Sequence, residues 1–133
     1  MRNYNTKSHK KYLLQAHIIF STKYRKPILQ YTIGEELKKK IEEIAETSRF
    51  VVVTQEVDRN HIHILVSYEP NISISQIIRK IKSETTYHAW NKYEEILKCE
   101  YYKKHKLWAD GYFVCSVGDA SEETIRNYIE NQG

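Results

Sequence analysis

The sequence predicts an α+β fold in which helices pack on one face of an antiparallel sheet. Three observations predict it: segments of strand character alternate with segments of helical periodicity, a short polar turn joins two neighbouring strands, and no internal repeat is present. The 133 residues include only 4 Gly and 2 Pro, and these form no flexible linker. We therefore expect one domain spanning residues 1–133.

The first strand and the first helix follow a basic N-terminal arm. Residues 13–20 alternate apolar and polar side chains, which predicts a strand with one apolar face and with His17 on the other face. Thr32 and Glu35 then have the spacing of a capping box at a helix N-terminus. The apolar residues that follow repeat at helical spacing and predict an amphipathic helix: Ile33, Leu37, Ile41, Ile44 and Ala45.

A hairpin and a second helix come next. Residues 50–57 are rich in valine and predict a second strand, and the polar turn at residues 58–60 leads directly into a third strand at residues 61–67. Ser73 and Gln76 have the spacing of a second capping box. The second helix has an apolar stripe formed by Ile74, Ile77, Ile78 and Ile81.

The C-terminal part adds a strand and a last helix. The charged stretch at residues 91–106 does not predict a defined structure, whereas residues 111–117 predict a fourth strand. Ser121 is placed to cap a final helix that carries Ile125 and Ile129. The order βαββαβ is the ferredoxin-like split βαβ arrangement, also called RRM-like, here with an extra C-terminal helix.

The third predicted strand gives this sheet two different faces. Ile62 and Ile64 are expected to point toward the helices, so His61 and His63 project from the opposite, open face on neighbouring pleats. Two imidazoles so placed can share one metal ion, although two histidines on a half-exposed strand are more often plain polar surface. The position directly after a turn favours a metal site, as does the lack of a comparable pair among the 6 His.

Composition excludes several classes of protein. Hydrophobic residues at 41% and charged residues at 29% are typical of a globular domain. The sequence has no run of 18 apolar residues and no signal-peptide pattern in residues 1–11, so we expect neither membrane spanning nor secretion. Cys99 and Cys115 fit neither a disulfide framework nor a zinc-site spacing, which favours a cytoplasmic location. A net charge of +4 and 11 Tyr would suit binding of nucleic acid by charge and stacking, although aromatic residues are equally typical of a core.

Tyr128 and Gln132 lie four residues apart on the last predicted helix and therefore share one side of it. A helical tyrosine is most often part of a buried face. The alternative is that Ile125 and Ile129 dock the helix while Tyr128 and Gln132 face a site. A tyrosine hydroxyl with a pKa near ~10 needs a metal or a base before it acts as a nucleophile at neutral pH. A metal bound by the histidine pair would meet that need.

Several separated segments together resemble one family. Residues 58–66 (DRNHIHILV) resemble the histidine-hydrophobic-histidine (HUH) motif of the single-tyrosine transposases of the 200/605 insertion-sequence family. Residues 108–118 (WADGYFVCSVG) and 124–132 (TIRNYIENQ) are similar to the strand and tyrosine-helix signatures of that family. Residues 20–25 (FSTKYR) and the helix at 77–83 also fit. The matches come in the expected order and cover nearly the whole chain.

The resemblance implies a metal-dependent transposase. It makes His61 and His63 metal ligands, Tyr128 the nucleophile and Gln132 a further ligand, with Mg²⁺ or Mn²⁺ as the cation. Paired imidazoles alone would equally suit zinc. The implied reaction cleaves and rejoins single-stranded DNA at insertion-sequence ends through a 5′-phosphotyrosine, with recognition of subterminal hairpins. The implied assembly is a homodimer in which one protomer's tyrosine helix can complete the partner's histidine site in trans, and the sequence leaves a cis or a trans arrangement open.

The basic residues expected to contact DNA follow the first strand and lie on the second helix: Lys23, Arg25, Lys26, Arg79 and Lys82. A basic cluster of this kind is more often a solvated surface than a binding site.

Two other functions stay open from the sequence. Another HUH endonuclease, such as a replication initiator, a relaxase or a palindrome-associated transposase, would use the same His61, His63 and Tyr128. A non-catalytic nucleic-acid-binding module of the same fold would read RNA bases with aromatic side chains on its third strand, where this chain has histidines. A requirement for a divalent cation distinguishes the enzymes from such a module.

Overall fold

A computed structural model of the chain describes residues 14–30, 32–102, 104–117 and 122–131. This part contains the strands β1 (Leu14–Ser21), β2 (Phe50–Val57), β3 (His61–Tyr68) and β4 (Phe113–Ser116). It also contains the helices α1 (Thr32–Glu46), α2 (Ile74–Lys92), α3 (Glu94–Tyr101) and α4 (Glu122–Asn131). Among the described residues, no helix combines the length and the apolar composition that crossing a membrane requires.

The four strands form one antiparallel sheet in the order β2-β3-β1-β4. Each pair of neighbours is antiparallel, and the first and third strands lie at the centre, which is the ferredoxin-like arrangement. The predicted α+β class is therefore confirmed. The hairpin of β2 and β3 also forms as predicted, with a bulge between Val52 and Thr54 that leaves Val53 exposed.

The core lies between the sheet and the helices α1 and α2. Ile62 and Ile64 of β3 are fully buried there, as their alternation predicted. Their partners from the helices include Leu37, Ile41, Ile77 and Ile81, all of which belong to the same buried cluster. The predicted capping box of α2 is present: Ser73 Oγ accepts from the Gln76 backbone, and the Gln76 side chain accepts from the Ser73 backbone.

Several predicted boundaries were inexact. The stretch at residues 91–106 contains the end of α2 and the whole of α3, whose only buried residues, Leu97 and Tyr101, form too short a stripe to predict a helix. β4 is shorter than predicted because Lys82 Nζ donates to the carbonyls of Ala109 (2.9 Å) and Gly111 (2.8 Å), which holds this segment as a loop. α1 begins at Thr32, so its cap position falls on residue 31, outside the described residues. The predicted cap of α4, at residue 121, also lies outside them.

Gly34, in the first turn of α1, packs closely against the chain that precedes the helix. A Cβ atom at this position would overlap the carbonyl oxygen of Leu29 and touch Val57. Because a backbone carbonyl has no rotamer through which to move away, we expect Gly34→Ala to lower the free energy of unfolding by about 1–3 kcal/mol, despite the higher helix propensity of alanine. The urea midpoint measures this change, with Lys39→Ala on the exposed side of α1 as control. An unchanged midpoint would contradict the close packing.

Candidate active site

The histidine pair lies on the sheet face opposite the core. His61 and His63 are half-buried. The alternate residues Ile62 and Ile64 are fully buried on the helix side. His63 lies directly opposite Ile19 of β1, and Ile19 lies directly opposite Phe113 of β4. Residues paired in this way share one face of an antiparallel sheet. The predicted orientation of both histidines is therefore confirmed.

A third histidine, His17 of β1, lies beside this pair. Its Nδ1 is 2.8 Å from Nε2 of His63, and the two ring centroids are 5.0 Å apart. The sequence prediction placed His17 on the open face but gave it no part in the site. The sequence alone does not give the register in which β1 pairs with β3. This register puts His17 directly opposite Leu65 and makes it a diagonal neighbour of His63.

His61 is held by the residue before it. Its Nδ1 lies 3.1 Å from Oδ1 of Asn60, an arrangement in which the ring N–H donates to the amide oxygen. Asn60 is fixed in turn, because its backbone carbonyl accepts from the backbone N–H of the buried Thr22 (2.9 Å). With Nδ1 engaged, Nε2 of His61 is the ring nitrogen that keeps a lone pair for a metal.

Burial keeps these imidazoles neutral. It is the main cause that lowers the pKa of His61 and His63; at His61 the charge of Asp58 opposes this shift and the smaller effect of Arg25 adds to it. Burial also lowers the pKa of His17. A histidine binds a metal in its neutral form, so the local environment favours ligation at neutral pH.

These residues fit a divalent cation that keeps open coordination positions. Across the described ranges, no group of three His, Cys, Asp or Glu side chains is placed to hold an ion, so His61 and His63 would supply two ligands and not a closed cage. The buried hydroxyl of Ser21, directly opposite His61, has no hydrogen-bond partner among the described residues. A water bound to such a cation would satisfy that hydroxyl. Gln132, the predicted further ligand, lies outside the described residues.

Tyr128 lies on the same face of the sheet. Its ring centroid is 4.7 Å from that of Phe113, which is aligned through Ile19 with His63. Burial is the main cause that raises the pKa of the Tyr128 phenol, and the positive charge of Arg25 opposes this shift. The phenol is therefore protonated at neutral pH and needs a group nearby to assist its deprotonation.

The predicted DNA contacts divide into two groups. Arg25 reaches α4, where its Nη1 donates to the Ile129 carbonyl at 3.2 Å. Lys23 and Lys26 belong to the same turn as Arg25, although Lys26 also forms an ion pair with Glu100 (3.3 Å). The other two predicted contacts, Arg79 and Lys82, belong to α2 on the opposite side of the sheet. The structure does not bring these two residues to the histidine pair, and the Lys82 ammonium is bound to backbone carbonyls.

Comparison with known proteins decides the family. A family model described as "Transposase IS200 like" matches residues 10–132. The chain belongs to the IS200-like transposase family. It is 28% identical over 126 residues to the ISDra2 transposase TnpA of Deinococcus radiodurans, covering 91% of this chain and 85% of that protein. It is 26% identical over 129 residues to the transposase for insertion sequence element IS200 of Salmonella typhimurium, covering 94% and 80%.

Solved structures agree with this family membership. A crystal structure of a Deinococcus radiodurans R1 protein described as a transposase superimposes with a TM-score of 0.78 at 29% identity, covering 90% of each chain. A REP-associated tyrosine transposase bound to a REP hairpin superimposes with a TM-score of 0.59 at 16% identity, covering 98% of this chain and 69% of the other. The second similarity establishes the fold alone.

The lowered pKa values of His17, His61 and His63 predict a pH-dependent stability. Unfolded histidines titrate near their usual 6.5, whereas these three resist protonation in the folded chain. As pH falls below 6.5, the unfolded state binds more protons, so the free energy of unfolding decreases until the pH passes the lowered folded values. We expect the melting temperature in chelator to fall between pH 7 and pH 5, and to fall less in His61→Asn. A melting temperature that rises over this interval would contradict the assignment.

Proposed function

We propose that this IS200-like transposase cleaves and rejoins single-stranded DNA at the ends of an insertion sequence, through a 5′-phosphotyrosine on Tyr128. The observation that supports the proposal is that Tyr128 and the pair His61 and His63 lie on the same face of the sheet in a chain of this family. A nucleophile and a metal site must lie on one face of the sheet to act on the same phosphate, and this arrangement meets that requirement.

The metal completes the proposed site. His61 and His63 would hold Mg²⁺ or Mn²⁺, with Gln132 as a further ligand, and the cation would polarise the scissile phosphate and stabilise the charge of the transition state. Asn60 keeps the His61 ring oriented, and burial keeps both imidazoles neutral for ligation.

The protein contributes the nucleophile. The phenolic oxygen of Tyr128 attacks the phosphorus atom, a tyrosine O–P bond forms, and the bond from phosphorus to the 3′ oxygen breaks. The phenol proton passes to solvent and the departing 3′ oxygen takes up a proton, so the step is balanced. A 3′-hydroxyl from another strand then attacks the same phosphorus, which restores a phosphodiester and frees Tyr128. The phosphotyrosine conserves the bond energy, so no nucleotide cofactor is required.

Hairpin recognition and dimerisation belong to the same proposal. A structural neighbour of this fold is described bound to a REP hairpin, which supports hairpin recognition by this chain. We further propose a homodimer, whose sites either form within one chain, as in the contact between Tyr128 and Phe113, or are completed by exchange of the tyrosine helices. If helices are exchanged, mixing Tyr128→Phe with His63→Ala creates one intact site per mixed dimer and restores cleavage, whereas sites formed within one chain stay inactive. A monomeric mass by light scattering would contradict the dimer.

A covalent-adduct assay tests the reaction. Single strands from the DNA that flanks the gene are incubated with the protein in Mn²⁺ or in chelator, and the products are separated on a denaturing gel. We expect a protein–DNA adduct in Mn²⁺ that is absent in chelator and absent with the duplex form of the same DNA. Metal-independent binding with no adduct on any strand would instead favour the non-catalytic nucleic-acid-binding module.

A further inference from the structure

A strained turn directs Arg25 toward the candidate active site. Tyr24 and Arg25 have φ values of 58° and 53°, in the left-handed region that non-glycine residues rarely adopt. The turn is held by hydrogen bonds from Lys23 N to Leu107 O (2.9 Å), from Thr22 Oγ1 to Lys26 O (2.7 Å) and from the Tyr101 hydroxyl to Lys23 O (2.9 Å). Strain of this kind is concentrated at functional sites and persists where the surrounding structure stabilises it.

The Arg25 side chain links this turn to the helix that carries Tyr128. Its Nη1 donates to the Ile129 carbonyl at 3.2 Å. Because α4 ends at Asn131, that carbonyl is one of the last four of the helix, which lack an intrahelical partner. A cation at a helix C-terminus also interacts favourably with the helix dipole. Arg25 therefore caps α4 at the residue next to Tyr128.

The turn that carries Arg25 is bonded to the residue before His61. The backbone N–H of Thr22 donates to the Asn60 carbonyl (2.9 Å), and the backbone N–H of Arg25 donates to the Thr22 carbonyl (3.0 Å). The sheet register agrees, because Ser21, four residues before Arg25, lies directly opposite His61. Arg25 thus connects the turn before His61 to the residue after Tyr128, so a phosphate bound between Tyr128 and the histidine pair would lie near this guanidinium.

We propose that Arg25 binds a non-bridging oxygen of the scissile phosphate and stabilises the negative charge that develops as Tyr128 attacks; this inference rests on the function proposed above. A guanidinium has five N–H donors in one plane, so one side chain can donate both to the Ile129 carbonyl and to a phosphate oxygen. One side chain thus aligns the tyrosine helix and binds the group that the tyrosine attacks. Arg25 forms and breaks no covalent bond.

Two substitutions separate charge from docking. Arg25→Gln removes the charge and keeps an N–H donor for the Ile129 carbonyl, whereas Arg25→Lys keeps the charge and loses the planar array of donors. The control Lys39→Gln removes one positive charge from the exposed side of α1, which packs on the opposite side of the sheet. Circular dichroism and the melting temperature show that each variant is folded. The substrate is one cleavable strand made with either a phosphodiester or a methylphosphonate at the scissile position.

Single-turnover adduct formation is then measured in saturating Mn²⁺. On the phosphodiester we expect Arg25→Gln to be slower than wild type by about 100-fold, Arg25→Lys by about 10-fold, and the control to be unchanged, with DNA affinity altered less than the rate. In one methylphosphonate diastereomer the methyl group replaces the oxygen that Arg25 is proposed to bind. On that diastereomer we expect the rates of wild type and Arg25→Gln to differ by less than about 3-fold.

Each outcome decides between explanations. A wild-type rate for Arg25→Gln, or an equal loss on the phosphodiester and on both methylphosphonate diastereomers, would overturn the proposal. In the latter case Arg25 acts only by docking α4. A wild-type protein that forms no adduct on the phosphodiester contradicts the proposed function itself, and the inference about Arg25 fails with it.

Discussion

Replacing Tyr128 with phenylalanine is expected to abolish covalent attachment of DNA. The substitution removes one oxygen and keeps the ring that contacts Phe113 at a centroid distance of 4.7 Å, so α4 should stay docked. Loss of a covalent nucleophile lowers the rate of an enzyme by about 10⁵-fold or more, because no other group can form the intermediate. We expect no adduct on a denaturing gel, while binding of the same single strand changes by less than about 3-fold.

The matched control for this substitution is Tyr87→Phe. Tyr87 is 71% exposed and belongs to α2, on the other side of the sheet from Tyr128. It loses the same hydroxyl without affecting the site, so its adduct yield should equal that of wild type. An adduct that persists in Tyr128→Phe would show that another tyrosine is the nucleophile, and loss of adduct in both variants would point to a general effect of removing tyrosines.

Replacing His63 or His61 with alanine is expected to remove metal-dependent cleavage. Each substitution takes one of the two proposed imidazole ligands, and lost Lewis-acid stabilisation of several kcal/mol corresponds to about 10³-fold in rate. Isothermal titration with Mn²⁺ measures binding independently of cleavage, and we expect its affinity to fall together with the rate. His63→Ala also deprives His17 of the hydrogen bond at 2.8 Å, so the His17 resonances in an NMR spectrum should shift.

His88→Ala serves as the control for the metal site. His88 lies on α2, and its Nε2 is 3.0 Å from a carboxylate oxygen of Glu36 in the helix layer. Its removal should leave both Mn²⁺ affinity and adduct formation unchanged. Unchanged Mn²⁺ affinity in both His61→Ala and His63→Ala would remove the pair from the metal site and leave it as ordinary polar surface.

The sequence predicted those features that depend on local patterns. The alternation at residues 61–67 identified which side chains of β3 face the core, because the period of a strand is two residues. The capping box at Ser73 and Gln76 fixed the start of α2 for the same local reason. The order of strands and helices then pointed to the ferredoxin-like sheet and to the open face on which the histidine pair lies.

Features that depend on distant contacts were not predicted. His17 and His63 are 46 residues apart in the sequence, and their contact requires β1 to pair with β3 in one particular register. Arg25 donates a hydrogen bond to Ile129, 104 residues away in the sequence. The turn that places Arg25 there has two residues in the left-handed region, neither of which is glycine. Lys82 binds two carbonyls that precede β4 and lie 27 and 29 residues away in the sequence. In each case the tertiary structure, and not the residue type, determines the partner.

The most direct test of the proposed function identifies the residue that carries the DNA. The wild-type adduct, formed in Mn²⁺ on a cleavable single strand, is digested with nuclease and trypsin and examined by mass spectrometry. Cleavage after Arg126 releases a peptide that begins at Asn127 and holds Tyr128 as its one tyrosine among the 11 of the chain. We predict that this peptide has a nucleotide joined through its 5′-phosphate to the phenolic oxygen of Tyr128. The same modification on any other residue, or an unmodified Tyr128 in isolated adduct, would contradict the assignment of the nucleophile.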